Sequence, residues 1–192
     1  TLLRSILSSI FFTNDGLFNF KLLKNIPIIE STINLEFIKK NHPRDYINIH
    51  NLEVLSKYWQ AIQSRENLGF NSDFLFVKTH HALSKVFNHS FTSDSCTRGI
   101  IYVVRDPRDV VLSYAHHFNS SIEKSIIKIS STKSAVDWED NQKIFLNKKK
   151  PLTILSSWGF NCESWIDNPF KCPFLLIKYE DMIANKLKTI EK

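Results

Sequence analysis

Apolar positions fall into two patterns along the chain. Phe74-Leu75-Phe76-Val77, Ile100-Ile101-Tyr102-Val103-Val104 and Phe174-Leu175-Leu176-Ile177 are short, nearly continuous runs rich in β-branched and aromatic residues. Such runs suit strands covered on both faces, and therefore a parallel sheet. Elsewhere the spacing is helical: Leu2, Leu3, Ile6, Leu7, Ile10 and Phe11 form one stripe, and Leu52 to Leu68, Pro107 to Phe118, Ala135 to Leu146 and Leu152 to Ile166 carry the same period. Ala184 to Lys192 is helical in composition. Asn119 to Ser134, rich in Ser, Lys and Ile without a clear period, and Lys148-Lys149-Lys150-Pro151 are predicted to be loops.

This alternation predicts an α/β fold with a parallel sheet flanked by helices. The 192 residues, 43% of them hydrophobic, show no repeat or shift in composition, so residues 1–192 are predicted to form a single domain. The first stripe starts at Leu2 with no lead-in, and the last helical segment stops without Gly or Pro. That predicts a partial domain, incomplete at both ends.

Composition narrows the partners only slightly. Twenty-five Lys and Arg against 19 Asp and Glu leave a net charge of +6, which suits anionic ligands without selecting among nucleotide, nucleic acid and membrane. Cys96, Cys162 and Cys172 are odd in number and lack C-x-x-C spacing. They argue against a disulfide framework or a zinc site and fit a reducing, cytoplasmic compartment. No apolar run approaches the roughly 20 residues that span a bilayer, so no transmembrane segment is expected.

The residues that follow the apolar runs carry the chemistry. In open parallel α/β sheets, ligands bind outside the carboxyl ends of the strands. Here those ends read Lys78-Thr79-His80-His81, Arg105-Asp106-Pro107-Arg108 and Lys178-Tyr179-Glu180-Asp181. Three strands would bring a Lys, His, Arg and Tyr to one sheet edge, a cationic crevice for phosphate or sulfate. Asp106 can cap and Pro107 can take the first helical position, so a helix is expected to start there with its amides facing the crevice. Arg105 would grip a phosphate with its planar fork, and Ser113 on the same helix would add a hydroxyl. Arg108 and Asp109 are expected to face solvent or pair.

The string Tyr102-Val-Val-Arg-Asp-Pro-Arg-Asp-Val-Val-Leu-Ser-Tyr114 resembles the 3′-phosphate-binding motif of sulfotransferases that use 3′-phosphoadenosine 5′-phosphosulfate (PAPS). Three more features follow the family's order. Val77-Lys78-Thr79-His80 is similar to the strand end that presents the catalytic histidine. Ser157-Trp158 with Trp165 is similar to a structural Ser-Trp helix, and Leu176 to Met182 resembles the Tyr-Glu-Asp segment. Four motifs in order are far more specific than any one alone.

The resemblance implies a P-loop-containing nucleotide-hydrolase-like sulfotransferase fold and a site made of His80, Lys78, Arg105, Ser113, Tyr179 and Thr1. Thr1 would be the last residue of a Pro-Lys-Ser-Gly-Thr-Thr type loop. Leu2 stands where many members carry a tryptophan against the adenine, so that stacking contact is absent or replaced. The closing Arg-Lys-Gly and Gly-x-x-Gly region of the family would lie beyond Lys192. Tyr179 is placed near the adenine edge.

In this reading His80 is the general base, since a neutral imidazole accepts a proton near neutrality. Lys78, two residues away on the same side of an extended strand, would stabilise charge on the bridging oxygen, with Thr79 pointing away. The expected partners are PAPS and a small-molecule acceptor with a hydroxyl or amine; nucleic acid and metal are not expected.

Blander readings stand beside these. A lone histidine is more often structural than catalytic, and it is the context that raises His80. His81 should face the opposite side, as packing or surface, and a shifted register would exchange the two. Trp158 and Trp165, seven apart on one helical face, suit a core better than a ligand stack. His116-His117, His42, His50 and His89 show no metal-ligand spacing such as H-E-x-x-H. The alternatives are a P-loop-type nucleotide kinase and a catalytically incomplete nucleotide-binding fragment. The acceptor pocket would draw on Asp15 to Asp45 and Asn119 to Ser134, whose sequences express no preference. Oligomeric state is not legible.

Overall fold

The computed structural model describes residues 2–30, 35–49, 51–68, 75–136 and 152–190. The N-terminal half is helical: α1 (Leu2–Phe12), α2 (Glu36–Asn41), α3 (Pro43–Ile47), α4 (Leu52–Ser56) and α5 (Arg65–Leu68). A hairpin of β1 (Lys85–Val86) and β2 (His89–Ser90) leads into β3 (Ile100–Val104) and α6 (Pro107–His117). Then come α7 (Ile122–Ser130), β4 (Ala135–Val136), β5 (Thr153–Ile154), α8 (Trp158–Ile166), β6 (Phe174–Lys178), α9 (Tyr179–Ala184) and α10 (Lys186–Ile190).

The α/β character and the parallel pairing are as the apolar runs predict. β3 and β6 run parallel in unbroken register, from Ile100 opposite Phe174 to Val104 opposite Lys178. The register is what brings Arg105 and Tyr179 out of the sheet side by side.

The third expected strand differs. Residues 75–77 are extended without a ladder, Val77 is exposed, and the segment touches a partner only through an isolated parallel bridge of Lys78 with Ile28. A strand buried on both faces needs ladders on both sides, and among the described residues this one has only the short contact with Pro27 to Ile29. Phe74 lies outside the described residues.

Several helical expectations are redrawn by side-chain competition. Leu52 to Leu68 breaks into α4, a 3₁₀ turn at Ala61–Gln63 and α5. The chain winds around the buried Trp59, and Gln63 and Gln60 donate to the carbonyls of Phe91 and Ser90 at 2.6 and 3.2 Å. In Leu152 to Ile166, Ser156 takes a left-handed conformation (φ 58°) and Ser157 caps α8 by accepting from the Phe160 amide at 3.2 Å. The preceding Thr153–Ile154 is thereby free to pair antiparallel with Ala135–Val136, which were expected to open a helix. Residues 137–146 and the Lys148–Pro151 punctuation lie outside the described residues.

Asn119 to Ser134 is not a loop: α7 occupies most of it, capped by Ser121, whose hydroxyl accepts from the Lys124 amide at 3.3 Å. Its buried residue is Ser125, whose hydroxyl donates to the Ser121 carbonyl, while Ile122, Ile126 and Ile127 are exposed. The C-terminal segment divides at Asn185, between α9 and α10.

The core gathers Ile29, Leu35, Ile38, Ile49, Leu55, Trp59, Ile62, Phe91, Ile100 and Trp165. His81 sits inside it. Its ring stacks on Phe91 at 4.4 Å and meets the edge of Trp59 at 5.5 Å. Its Nδ1 accepts from the Ile154 amide, and its carbonyl accepts from Trp165 Nε1 at 2.9 Å. His81 and Trp165 are therefore packing residues, as expected; Trp158 is half-buried.

Burial pushes His81 down from its ordinary 6.5 to about 4, so it folds neutral. The unfolded chain then takes the proton first as pH falls, and stability is full above about pH 6.5 and declines toward pH 4. The slope approaches about 1.4 kcal/mol per pH unit. Thermal unfolding followed by circular dichroism between pH 7 and 4.5 should show a falling melting temperature. A flat profile across that window would mean that His81 is solvated.

Candidate active site at the strand exits

Two clips join the ends of β3 and β6. The Arg105 guanidinium lies over the Tyr179 ring, 4.6 Å from its centre. Next to it the Asp106 amide donates to Glu180 Oε1 at 3.0 Å. Asp106 also caps α6 by accepting from the Arg108 amide, and it pairs with the exposed Arg108 at 2.6 Å.

The cap amide of Asp106 and the Arg108 amide, the first that α6 offers after Pro107, are thus engaged by carboxylates. This corrects the expectation that they would face an anion, and leaves that task to side chains. Arg105 reaches Asp109 Oδ2 at a long 3.5 Å, and its Nε is buried with no hydrogen-bond partner among the described residues. The fork is oriented by Tyr179 and weakly engaged elsewhere.

Thr79 to Ala82 is pinned from several sides. Pro27 and Ile29 flank it through Lys78 N to Pro27 O and Ile29 N to Lys78 O, both at 2.8 Å. The Ala82 amide donates to Ile154 O at 2.9 Å. Asn161 Nδ2 donates to Leu155 O at 2.9 Å and to His80 O at 3.4 Å, while its Oδ1 accepts from Tyr102 at 2.9 Å.

The buried Glu30 faces the same segment. Its Oε1 accepts from Thr79 Oγ1 at 2.6 Å, from the His80 amide at 2.7 Å and from the His81 amide at 3.3 Å. Its Oε2 lies 3.8 Å from His80 Nδ1. Burial alone would raise this carboxyl, but contacts with His80, His81 and Thr79 outweigh it and hold it at about 2. Since Thr79 and His80 both address Glu30, strict strand alternation has ended by this point, contrary to the expectation that Thr79 points away. Nothing in the sequence around Glu30 marks it except an acid closing the apolar run Ile26-Pro27-Ile28-Ile29.

His80, Arg105 and Ser113 line one cavity of about 350 Å³. His117 adds a second imidazole, and Val110, Tyr114, Phe118 and Leu155 supply an apolar wall. None of these eight residues is acidic. Lys78 does not line the cavity; it is half-buried near Arg4, and burial together with that second cation lowers its pKa. Tyr179 reaches the site through Arg105, and Thr1 lies outside the described residues. Among the described residues no group of three or more His, Cys, Asp or Glu is arranged to hold a metal, and no helix is long and apolar enough to cross a membrane.

A model of the sulfotransferase domain matches residues 1–192, the whole chain. The chain belongs to the sulfotransferase domain family. Sulfotransferase 2A1 of Rattus norvegicus is 33% identical over 115 residues, 59% of this chain and 36% of the relative. The 3-beta-hydroxysteroid sulfotransferase of Cavia porcellus is 28% identical over 116 residues, 60% of this chain and 36% of the relative. Sulfotransferase 1B1 of Canis lupus familiaris is 27% identical over 127 residues, 66% and 38%. The chain therefore spans little more than a third of the length of the relatives it matches.

Asn161 links the candidate site to the sheet, since one amide serves Tyr102, Leu155 and the His80 carbonyl. Asn161→Leu should cost about 1–3 kcal/mol by leaving those groups unpaired. Urea unfolding of the variant against the parent measures it, and a midpoint unchanged would remove Asn161 from the scaffold.

Proposed function

We propose that the full-length protein transfers a sulfuryl group from PAPS to a hydroxyl or amine of a small acceptor, within a single P-loop-containing sulfotransferase domain. The observation that supports this best is one cavity holding His80, Arg105 and Ser113 with no acid among its described lining residues, and an Arg105 Nε that is buried without a hydrogen-bond partner among the described residues. A buried guanidinium nitrogen without a partner fits an anionic ligand.

Bound PAPS supplies an activated sulfuryl group, its S–O bond to the 5′-phosphate breaking with the electron pair kept by the phosphate. Arg105 binds the 3′-phosphate with its fork, and Ser113 donates a hydroxyl to the same group. Tyr179 keeps the guanidinium plane in place from below, a role distinct from contact with the adenine edge. His80 takes the acceptor proton as the new bond to the acceptor oxygen or nitrogen forms. Lys78, whose pKa is lowered by burial and by Arg4, meets the charge left on the phosphate. Thr1 belongs to the proposed phosphate loop.

The apolar wall of Val110, Tyr114, Phe118 and Leu155 suits an acceptor hydroxyl carried on an apolar skeleton. A relative named for 3-beta-hydroxysteroids is consistent with that class.

Sulfate transfer from radiolabelled PAPS by the full-length parent tests the reading. His80→Ala should lower kcat by about 10²-fold or more while affinity for 3′-phosphoadenosine 5′-phosphate stays within about threefold. Arg105→Ala should weaken that affinity by about tenfold. An active His80→Ala would overturn the base, and unchanged nucleotide affinity in Arg105→Ala would overturn the phosphate contact.

A further inference from the structure

A carboxylate buried as deeply as Glu30, with 2% of its side chain exposed, is costly unless each oxygen has something to do. The two oxygens are employed differently. Oε1 accepts from Thr79 Oγ1 and from two consecutive backbone amides, those of His80 and His81, and so fixes the path of the chain through the site. Oε2 is turned toward the His80 ring, 3.8 Å from Nδ1. Only the second oxygen is placed to influence chemistry.

The imidazole stands between this carboxylate and the cavity that it lines. We propose that Glu30 is a positioning residue for His80: it holds the strand exit through Oε1 and, through Oε2, keeps the imidazole proton on Nδ1, so that Nε2 is the basic nitrogen offered to the acceptor. A neutral imidazole carries one proton on either nitrogen, and the choice is set by what the other nitrogen faces. A fixed negative charge beside Nδ1 favours the proton there. It also stabilises the imidazolium formed when Nε2 takes the acceptor proton, and Glu30 itself exchanges no proton in the step. The same division of labour operates wherever a buried carboxylate orients a catalytic histidine, and loss of that carboxylate's charge there lowers kcat more than binding.

His81, the neighbouring imidazole, cannot substitute. It is committed to the core, where its Nδ1 accepts from the Ile154 amide at 3.2 Å and its ring stacks on Phe91. Thr79 contributes only to the Oε1 side. Of these three neighbours it is Glu30, 50 residues away in sequence, that sets a charge beside His80 Nδ1.

The inference rests on the reading of His80 as the base, and the experiment separates the two. The full-length protein is labelled with ¹⁵N-histidine, and the His80 ring nitrogens, assigned by comparison with His80→Ala, report the tautomer directly. The unsubstituted protein should show the Nδ1-protonated form; a proton found on Nε2 overturns the proposal without any variant. Glu30→Gln retains an oxygen for the three Oε1 contacts and removes the charge. It should move the tautomer toward the Nε2-protonated form and lower kcat at least about tenfold, with KM and 3′-phosphoadenosine 5′-phosphate affinity within about threefold.

A purely structural Glu30 would shift the unfolding midpoint and leave the tautomer of the folded fraction unchanged, and that result overturns the proposal even if activity falls. Should His80→Ala remain active, the base reading fails instead, and the tautomer measurement still decides whether Glu30 orients the ring.

Discussion

A negative charge inside a protein is tolerated only where the surroundings answer it, and the segment Thr79 to His81 is shaped around that requirement. Three donors converge on one oxygen of Glu30, two of them backbone amides, so the chain cannot leave this path without stranding a buried carboxylate. From that path the rest follows. His81 is sent into the aromatic core among Trp59, Phe91 and Trp165, and His80 is turned the other way, into the cavity. Adjacent residues of the same type acquire opposite fates because the backbone between them is held.

The second organising element is the β3–β6 ladder. Five register pairs end at Val104 and Lys178, and the exits are then joined by a cation over a ring and by an amide to a carboxylate. The two arrangements meet in one cavity although their parts come from distant stretches of chain. Asn161 is the mechanical connection: it reads Tyr102 of β3 on one side and the His80 carbonyl on the other.

Much of this was legible in the sequence wherever a local rule had no competitor. Ile100 to Val104 and Phe174 to Lys178 are apolar throughout, and Asp106-Pro107 is both a cap and a helix start, so β3, β6 and α6 stand where the pattern puts them. The pattern failed where side chains outcompeted it. Ser156 in a left-handed conformation and the cap at Ser157 turned the front of an apparent helix into β5. α7 breaks the usual code because its buried position is a serine and three of its four isoleucines, Ile122, Ile126 and Ile127, are exposed. Glu30 was invisible for a different reason: its partners lie 49 to 51 residues away, beyond any local spacing rule. Likewise the Asp106 amide looked available, and only its contact with Glu180, 74 residues distant, shows it in use, whereas the Arg108 amide is taken by the local Asp106 cap.

The stacking of Arg105 on Tyr179 has a thermodynamic consequence. An arginine free in solution samples many rotamers and surrenders up to about 2 kcal/mol when a ligand immobilises it. Here the ring has already narrowed those rotamers during folding, so the entropy is spent before any anion arrives. For the proposed phosphate contact, this moves part of the cost of recognition from binding to folding, since the guanidinium would meet an anion as a rigid plate.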